Sequence, residues 1–204
     1  CLTTHCDKRS YAQKLWRVAR EARVHRALGT LAGWGGIVAI HPAMTEKLGR
    51  AGYSDNRMFT VRNPVVPFSA ERIPAEDNTA LLYVGRLEAD KGAGEVAAAA
   101  ARAGVPLIMV GEGPMRTELA AAYPDVELAG WVDKADIGPY AARARALVMP
   151  SRHPEPFALV IAEAAASGLP VLASDTAAMA GEVETQEPKL SGDFAKLMKW
   201  ADEF

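Results

Sequence analysis

The sequence predicts an α/β fold of the doubly wound class, in which helices cover both faces of a parallel β-sheet. Two observations predict it. From residue 36 onward, short apolar runs alternate with Ala-rich or amphipathic stretches, and this order is typical of parallel strands joined by right-handed crossovers. The apolar runs are also nearly continuous, which indicates that both faces of the sheet are covered.

Turn-forming residues bound the individual elements along the chain. The predicted strands are Gly36–Ile40, Met58–Val61, Ala80–Val84, Pro106–Val110, Val126–Ala129, Ala146–Met149 and Val171–Ala173. The predicted helices between the later strands are Gly92–Ala103, Met115–Tyr123, Ile137–Arg143 and Pro156–Ser167. A glycine ends the first and last of these helices, and the next strand starts at or directly after a proline two residues later.

Prolines also indicate how the chain is divided. Pro64 and Pro67 mark a non-helical connection before the main αβ array. We therefore predict that residues 1–66 are a connecting region with the remnant of a preceding domain. Residues 67–183 are the predicted α/β domain, and residues 184–204 are predicted to include a C-terminal helix. Because the first residue is Cys rather than Met, we expect that upstream sequence is missing.

Charge and hydropathy exclude several classes of partner. The formal net charge of −2 gives no general attraction to nucleic acid. No apolar run is long enough to span a membrane, and no signal peptide is recognisable, so we predict a cytoplasmic protein. The first thirty residues are nevertheless basic, which fits either a solvated helix or a peripheral membrane contact. These basic residues are Lys8, Arg9, Lys14, Arg17, Arg20, Arg23 and Arg26.

The cysteines do not indicate a metal centre or a disulfide framework. Cys1 and Cys6 flank His5 at the start of the chain, and a structural zinc site needs more ligands than these. Two free thiols of a reducing compartment are the simpler interpretation. We predict no metal and no other cofactor.

The first candidate site follows the strand that ends at Val84. Gly85 permits a tight turn there, and Arg86 and Lys91 place two cations before the next helix begins at Gly92. Doubly wound folds bind ligands at the carboxyl ends of their strands. Because Arg offers a fork of donors and Lys a mobile point charge, the two can hold a diphosphate. An ordinary solvated loop with two surface charges is the alternative.

A second turn has the sequence Gly111-Glu112-Gly113-Pro114 and also follows a strand. Its glycines allow the backbone to approach a ligand or a neighbouring loop closely. Turn chemistry alone explains this motif nearly as well, so it is a weak indication by itself.

The most informative segment runs from Met149 to Ala164. A strand ends there, a loop carries Glu155, and a helix is predicted to open near Pro156. Glu155 and Glu163 would lie about 12 Å apart if both were helical, which is too far for an acid/base pair on one bond. That separation suits two carboxylates that bind opposite ends of a long ligand, with free amides near Ala158, Leu159 and Val160 facing phosphate between them.

A lone carboxylate in the middle of an apolar helix requires an explanation. The residues around Glu163 imply that the helix is almost completely buried, and a Glu is rarely found at such a position without a reason. They are Val160, Ile161, Ala164, Ala165 and Ala166. A Glu at an exposed edge of the helix is the alternative.

In combination, the motifs resemble those of a known enzyme family. They are Gly85-Arg86…Lys91-Gly92, Gly111-Glu112-Gly113-Pro114, Gly130-Trp131-Val132 and the Pro150-Ser151…Glu155-Pro156-Phe157…Glu163-Ala164 run. Single motifs are weak, but four in one order over about residues 36 to 175 resemble the C-terminal, Rossmann-like domain of the GT-B retaining glycosyltransferases of family 4. The segment Met58–Pro64 resembles the linker of that family.

The resemblance implies a role for each matching position. Arg86 and Lys91 would neutralise the diphosphate of a nucleotide-sugar donor, and Glu155 would contact hydroxyls of the transferred sugar. Glu163 would hold the ribose hydroxyls. The implied chemistry is metal-independent transfer with retention, catalysed by groups aimed at the charge that develops on phosphate. The main chain near Val132 and Lys134 would border the base. The implied donor-binding set is Gly85, Val132, Lys134, Ala158, Leu159, Val160 and Glu163.

The sequence also departs from the family pattern. We expect the N-terminal, acceptor-binding domain of the family to be missing here apart from its last portion, which the basic fragment of residues 1–35 resembles. Ala158 stands where Gly is commoner in the phosphate-binding turn, and residues 176–182 replace a Gly-Gly-x-Pro-Glu turn, which affects the expected sugar contacts.

Three functions therefore remain open from the sequence. The first is a hexosyltransferase that acts on an unknown acceptor, such as a cell-surface polysaccharide or a glycolipid, with this chain supplying the donor half. The second is a non-catalytic module that binds a nucleotide sugar, and the third is a GT-B-type nucleotide-sugar epimerase. The isolated chain would be inactive as a transferase if it needs the missing domain.

Overall fold

The computed structural model describes residues 11–30, 35–53, 55–152 and 155–174. Its elements in chain order are α1 (Tyr11–Thr30), β1 (Ile37–Ala39), α2 (Pro42–Arg50), β2 (Met58–Thr60), β3 (Ala80–Val84), α3 (Ala93–Ala103), β4 (Leu107–Val110), α4 (Arg116–Ala122), β5 (Glu127–Gly130), α5 (Gly138–Ala141), β6 (Ala144–Met149), α6 (Leu159–Ala166) and β7 (Val171–Ala173). The predicted C-terminal helix and the residues Cys1, His5 and Cys6 lie outside the described ranges.

Five strands form one parallel sheet in the order β5-β4-β3-β6-β7. The first strand of this sheet in the sequence, β3, lies at its centre. Strands β4 and β5 follow outward on one side, and the chain then crosses back so that β6 pairs with the other edge of β3. This reversal between β3 and β6 is the topological switch point of a doubly wound fold. The predicted fold class is confirmed, and the predicted bounds of these strands agree within two residues.

Alternating side chains of the sheet pack under helices on both faces. On one face, Leu81, Tyr83 and Met109 contact an apolar cluster that includes Val96 of α3 and Leu119 of α4. On the opposite face, a second cluster joins the sheet to α5 and α6. Its sheet and helix members are Leu82, Ile108, Val110, Ala144, Leu147, Ala141 and Ala164. Coverage of both faces explains why the strands read as continuous apolar runs.

The described residues divide into two compact units. One contains α1 with residues 35–38 and 55–59, and the other contains residues 39–53 with the described residues from 60 onward. Strands β1 and β2 pair in a separate two-stranded sheet. The division at residues 66 and 183 stays a prediction.

Helix α2 was not predicted from the sequence. It begins at Pro42, and the Nδ1 atom of His41 accepts a hydrogen bond of 3.1 Å from the Ala43 N–H. His41 therefore acts as the N-cap, although Ser, Thr, Asp and Asn are the residues that usually signal such a start. None of the described helices is both long enough and apolar enough to cross a membrane.

Candidate functional site

The candidate site lies at the switch point, between the loop that follows β3 and the loop that follows β6. Residues 85–92 form the first loop and residues 150–158 the second, of which residues 153 and 154 are not described. Ligands of doubly wound folds bind in the crevice outside the carboxyl ends of the strands at this point. We call these two loops and the first turn of α6 the switch-point crevice.

An ion pair joins the two loops of the crevice. Lys91 Nζ donates to Glu155 Oε1, and both side chains are largely buried, with exposed fractions of 25% and 20%. The main chain adds a second connection, since the Arg152 N–H donates to the Asp90 carbonyl at 3.0 Å. The structure thus brings together two of the three predicted catalytic residues, which are 64 positions apart in the sequence.

Ser151 also holds the Glu155 carboxylate. This serine is 2% exposed, and its hydroxyl donates to Glu155 Oε1 at 3.0 Å. The Ser174 hydroxyl in turn donates to the Ser151 carbonyl at 2.7 Å. Sequence reasoning assigned no role to Ser151, although a buried hydroxyl directly after a strand normally requires a partner.

Arg86, the third predicted catalytic residue, is arranged differently. Its guanidinium is exposed and pairs with Glu88 of the same loop at 2.9 Å. Its carbonyl accepts a hydrogen bond of 2.7 Å from the buried Tyr83 hydroxyl. Burial raises the pKa of Tyr83, and the nearby carboxylates of Asp90 and Glu88 raise it further, so this phenol remains a donor at neutral pH. Tyr83 is a supporting residue that the sequence reasoning missed.

The Gly-rich turn after β4 contacts a neighbouring loop, one of the two alternatives that the sequence left open. A Cβ at Gly111 would lie 1.9 Å from the Gly85 carbonyl oxygen, and a Cβ at Gly113 would lie 2.4 Å from the Leu87 carbonyl oxygen. Backbone bonds continue the sheet ladder into the loops, from the Leu87 N–H to the Glu112 carbonyl and from the Gly111 N–H to the Gly130 carbonyl. The first loop of the crevice is therefore supported from the side by its neighbour.

Helix α6 begins later than predicted. The sequence placed its start near Pro156, but the helix begins at Leu159, and Ala158 precedes it in the left-handed conformation with φ of 55°. A left-handed residue interrupts the helical dihedrals, so Pro156 cannot be part of the helix. The estimated 12 Å between the carboxylates assumed that Glu155 is helical, and it does not apply. The amides of Leu159 and Val160 are first-turn donors without an acceptor inside the helix.

Replacing Ala158 by Gly should stabilise the protein by about 0.5–1 kcal/mol. A left-handed Ala costs about 1–2 kcal/mol, which exceeds the conformational entropy that Gly loses on folding. Urea unfolding of both proteins measures the difference. The control is Ala165→Gly on the exposed side of the same helix, where the same change should destabilise by about 1 kcal/mol. Equal signs for the two variants would contradict the assignment of strain to Ala158.

Glu163 is buried, as the sequence suggested, but the helix around it is not buried on all sides. Ala165 and Ala166 are exposed, so the expectation of near-total burial was wrong for these two positions. The Glu163 residue is 5% exposed, and its Oε1 pairs with Lys134 Nζ, which belongs to the turn after β5. The sequence placed Lys134 beside the same ligand through its main chain, and it gave no sign that the side chain reaches Glu163.

The other predicted donor-binding residues lie at the same edge of the sheet. Gly85 follows β3, and Val132 packs into the same apolar cluster as Val160 and Ala164. The structure places these residues but leaves their roles as predictions. Among the described residues, no cluster of three or more His, Cys, Asp or Glu could hold a metal ion.

Curated relatives and solved structures agree with this architecture. Over 120 residues the chain is 38% identical to the glycogen synthase of Mycobacterium tuberculosis, and over 93 residues it is 36% identical to the GDP-mannose-dependent alpha-mannosyltransferase of Mycolicibacterium smegmatis. These alignments cover 53% and 46% of the chain. They cover only 28% and 24% of the two relatives, so the matched part of the chain spans about a quarter of each.

The fold is also shared with Anabaena HepE in its complex with UDP and glucose, at a TM-score of 0.62 and 20% identity. That match covers 83% of this chain and 53% of HepE. Residues 78–199, more than half of the chain, match the family described as Glycosyl transferases group 1. The chain therefore belongs to this glycosyltransferase family, and its sheet is the Rossmann-like sheet of a GT-B C-terminal domain.

Proposed function

We propose that this chain supplies the donor half of a retaining glycosyltransferase that transfers a hexose from a nucleoside-diphosphate sugar. The observation that carries the proposal is the meeting of Lys91 and Glu155 across the switch point, directly before the first turn of α6. A cation, a carboxylate and free helix amides are the groups that a sugar diphosphate requires within one crevice.

Each group has a separate task in this proposal. Lys91 binds the diphosphate together with the amides of Leu159 and Val160. Arg86, at the exposed rim of the crevice, gives up its ion pair with Glu88 and binds the diphosphate instead. Glu155 accepts hydrogen bonds from hydroxyls of the transferred sugar. Because Ser151 and Lys91 hold the Glu155 carboxylate, its orientation is set before the donor arrives.

The proposed reaction breaks the bond between the anomeric carbon and the phosphate oxygen. The nucleoside diphosphate leaves with the electron pair of that bond. The acceptor hydroxyl adds to the same face of the oxocarbenium-like sugar and passes its proton to the departing phosphate oxygen. Negative charge grows on the leaving phosphate during this step, so the fixed cation and the helix terminus stabilise the transition state more than the ground state. In this proposal no metal ion takes part, and the chain belongs to family 4 of the retaining enzymes.

The relatives support a nucleotide sugar without fixing the base. One curated relative is named a GDP-mannose-dependent mannosyltransferase, whereas the HepE structure contains UDP and glucose. The acceptor remains open. A polysaccharide or a glycolipid at the cytoplasmic face of a membrane fits the basic segment α1, whose exposed side chains include Leu15 and Trp16.

Calorimetric titration with UDP, GDP and ADP in the presence of EDTA tests the proposal. We expect saturable binding of one nucleotide, weakened at least tenfold in both Lys91→Ala and Glu163→Ala. The matched controls are Lys47→Ala and Glu118→Ala, which remove exposed charges of the same types from α2 and α4. Absence of binding by the folded wild-type protein, or equal losses in the controls, would reject the donor site.

A further inference from the structure

Glu163 carries a charge in an apolar position. It lies on α6 between Ala162 and Ala164, and its side chain is 7% exposed. A buried carboxylate is tolerated where a partner compensates the lost hydration. That partner is Lys134, whose Nζ donates to Glu163 Oε1.

Lys134 reaches Glu163 from a different part of the fold. It begins a short 3₁₀ turn, Lys134–Asp136, that follows β5, and 29 positions separate the two residues in the sequence. The apolar residues beside them, Val132 and Val160, belong to one cluster, so the turn and the helix are packed on the same face of the sheet. The Lys134 side chain is 47% exposed and reaches from the rim to an almost completely buried carboxylate.

This pairing leaves part of the carboxylate available to a ligand. A carboxylate accepts hydrogen bonds at two oxygens, and Lys134 occupies Oε1. A ligand hydroxyl can therefore bond to Oε2 while the ion pair persists. Lys134 also has three donor hydrogens, so it can retain Glu163 and still face the solvent side of the crevice.

We propose that Lys134 is a positioning residue that makes the donor site selective for ribose, because it holds the Glu163 carboxylate oriented toward the vicinal hydroxyls of the sugar. The inference rests on the proposed function, since it assigns Glu163 to the ribose of a nucleotide donor. It concerns the Lys134 side chain, which acts through Glu163 and does not contact the nucleotide itself.

Paired titrations with ribonucleoside diphosphates and their 2′,3′-dideoxy analogues test the inference. The probes are UDP, GDP and ADP with the corresponding dideoxy compounds, on wild type, Lys134→Met and Lys134→Arg. We expect Lys134→Met to weaken ribonucleotide binding about tenfold and to change dideoxynucleotide binding by less than about twofold, so that the discrimination is lost. Lys134→Arg should retain most of the preference for ribonucleotides over dideoxynucleotides, and the control Lys47→Met should retain all of this preference.

The Glu163→Gln background separates positioning from direct electrostatic attraction. If Lys134 acts only through Glu163, adding Lys134→Met to Glu163→Gln should cause no further loss of affinity. The double variant also contains no unpaired buried carboxylate, so it provides a folded protein if Lys134→Met alone is unstable.

The outcomes distinguish the inference from the function on which it rests. No binding by the folded wild type overturns the proposed function and this inference with it. Wild-type binding without preference for the ribose hydroxyls overturns the role of Glu163 and hence that of Lys134. If the wild type discriminates but Lys134→Met weakens both kinds of nucleotide equally, or neither, only the inference is overturned.

Discussion

Gly111→Ala is expected to destabilise the protein by about 3 kcal/mol or more, which is at the upper end of single-substitution effects. The added Cβ would lie 1.9 Å from the Gly85 carbonyl oxygen, and the position has φ of 143°, which L side chains rarely adopt. The three nearest atoms are the carbonyl oxygen, carbonyl carbon and nitrogen of Gly85, so no side chain can rotate away to make room. Urea unfolding followed by circular dichroism should show a lower midpoint with an unchanged slope.

Gly85, whose carbonyl group lies against Gly111, provides the control position. At Gly85 the nearest atom to an added Cβ is the Tyr83 hydroxyl oxygen at 3.3 Å, and the backbone conformation is ordinary. Gly85→Ala should therefore cost less than about 1 kcal/mol. If Gly85→Ala proved as harmful as Gly111→Ala, the close approach of the two loops would not be the cause.

These two glycines show what the sequence could and could not predict. A Gly next to a strand end indicates a turn, and both turns were predicted correctly. Only the fold reveals that Gly111 faces a carbonyl whereas Gly85 faces the end of a side chain. The strict requirement for glycine at position 111 arises from the packing of the two loops, which the sequence does not show. From the sequence, Gly85-Arg86 therefore seemed a more important motif than Gly111-Glu112-Gly113-Pro114.

The sheet itself was predictable because its information is local. A strand covered on both faces needs an apolar side chain at nearly every position, and this pattern is visible in any short window of β3, β4 or β6. The start of α6 was not predictable in this way. Ala itself gives no sign of the left-handed conformation at position 158, because most Ala residues adopt helical or extended dihedrals. The Gly that is commoner at this position in the family was the one indication of it.

Ion pairs were the least predictable part of the site. The sequence identified Lys91, Glu155, Lys134 and Glu163 individually, but it assigned them to separate parts of a ligand. The structure joins them as Lys91–Glu155 and Lys134–Glu163, over separations of 64 and 29 residues. The strand order explains the first pair, because the switch point places the loops after β3 and β6 side by side. The second pair joins α6 to the turn after β5, and Val160 and Val132 of these two segments pack into one apolar cluster.

The two loops of the crevice are in close backbone contact at Gly92. This residue is left-handed, with φ of 71°, and an added Cβ would lie 2.3 Å from the Pro150 carbonyl oxygen and 2.7 Å from the Pro150 Cγ. Lys91 immediately precedes Gly92, and Ser151 immediately follows Pro150. A displacement that separates Gly92 from Pro150 to relieve the clash is therefore expected to move Lys91 away from Ser151 and Glu155.

Gly92→Ala is therefore expected both to destabilise the protein by about 2–4 kcal/mol and to weaken nucleotide binding at least tenfold at temperatures where the variant remains folded. The matched control is Gly104→Ala at the opposite end of α3. Gly104 has φ of 66°, but an added Cβ there would meet no atom within 4 Å. Both variants carry the same backbone strain, of about 1 kcal/mol, so the difference between them isolates the contact with Pro150. Gly104→Ala should bind nucleotide as the wild type does. Equal binding by Gly92→Ala and Gly104→Ala would show that the spacing of these two loops does not determine how the donor is held.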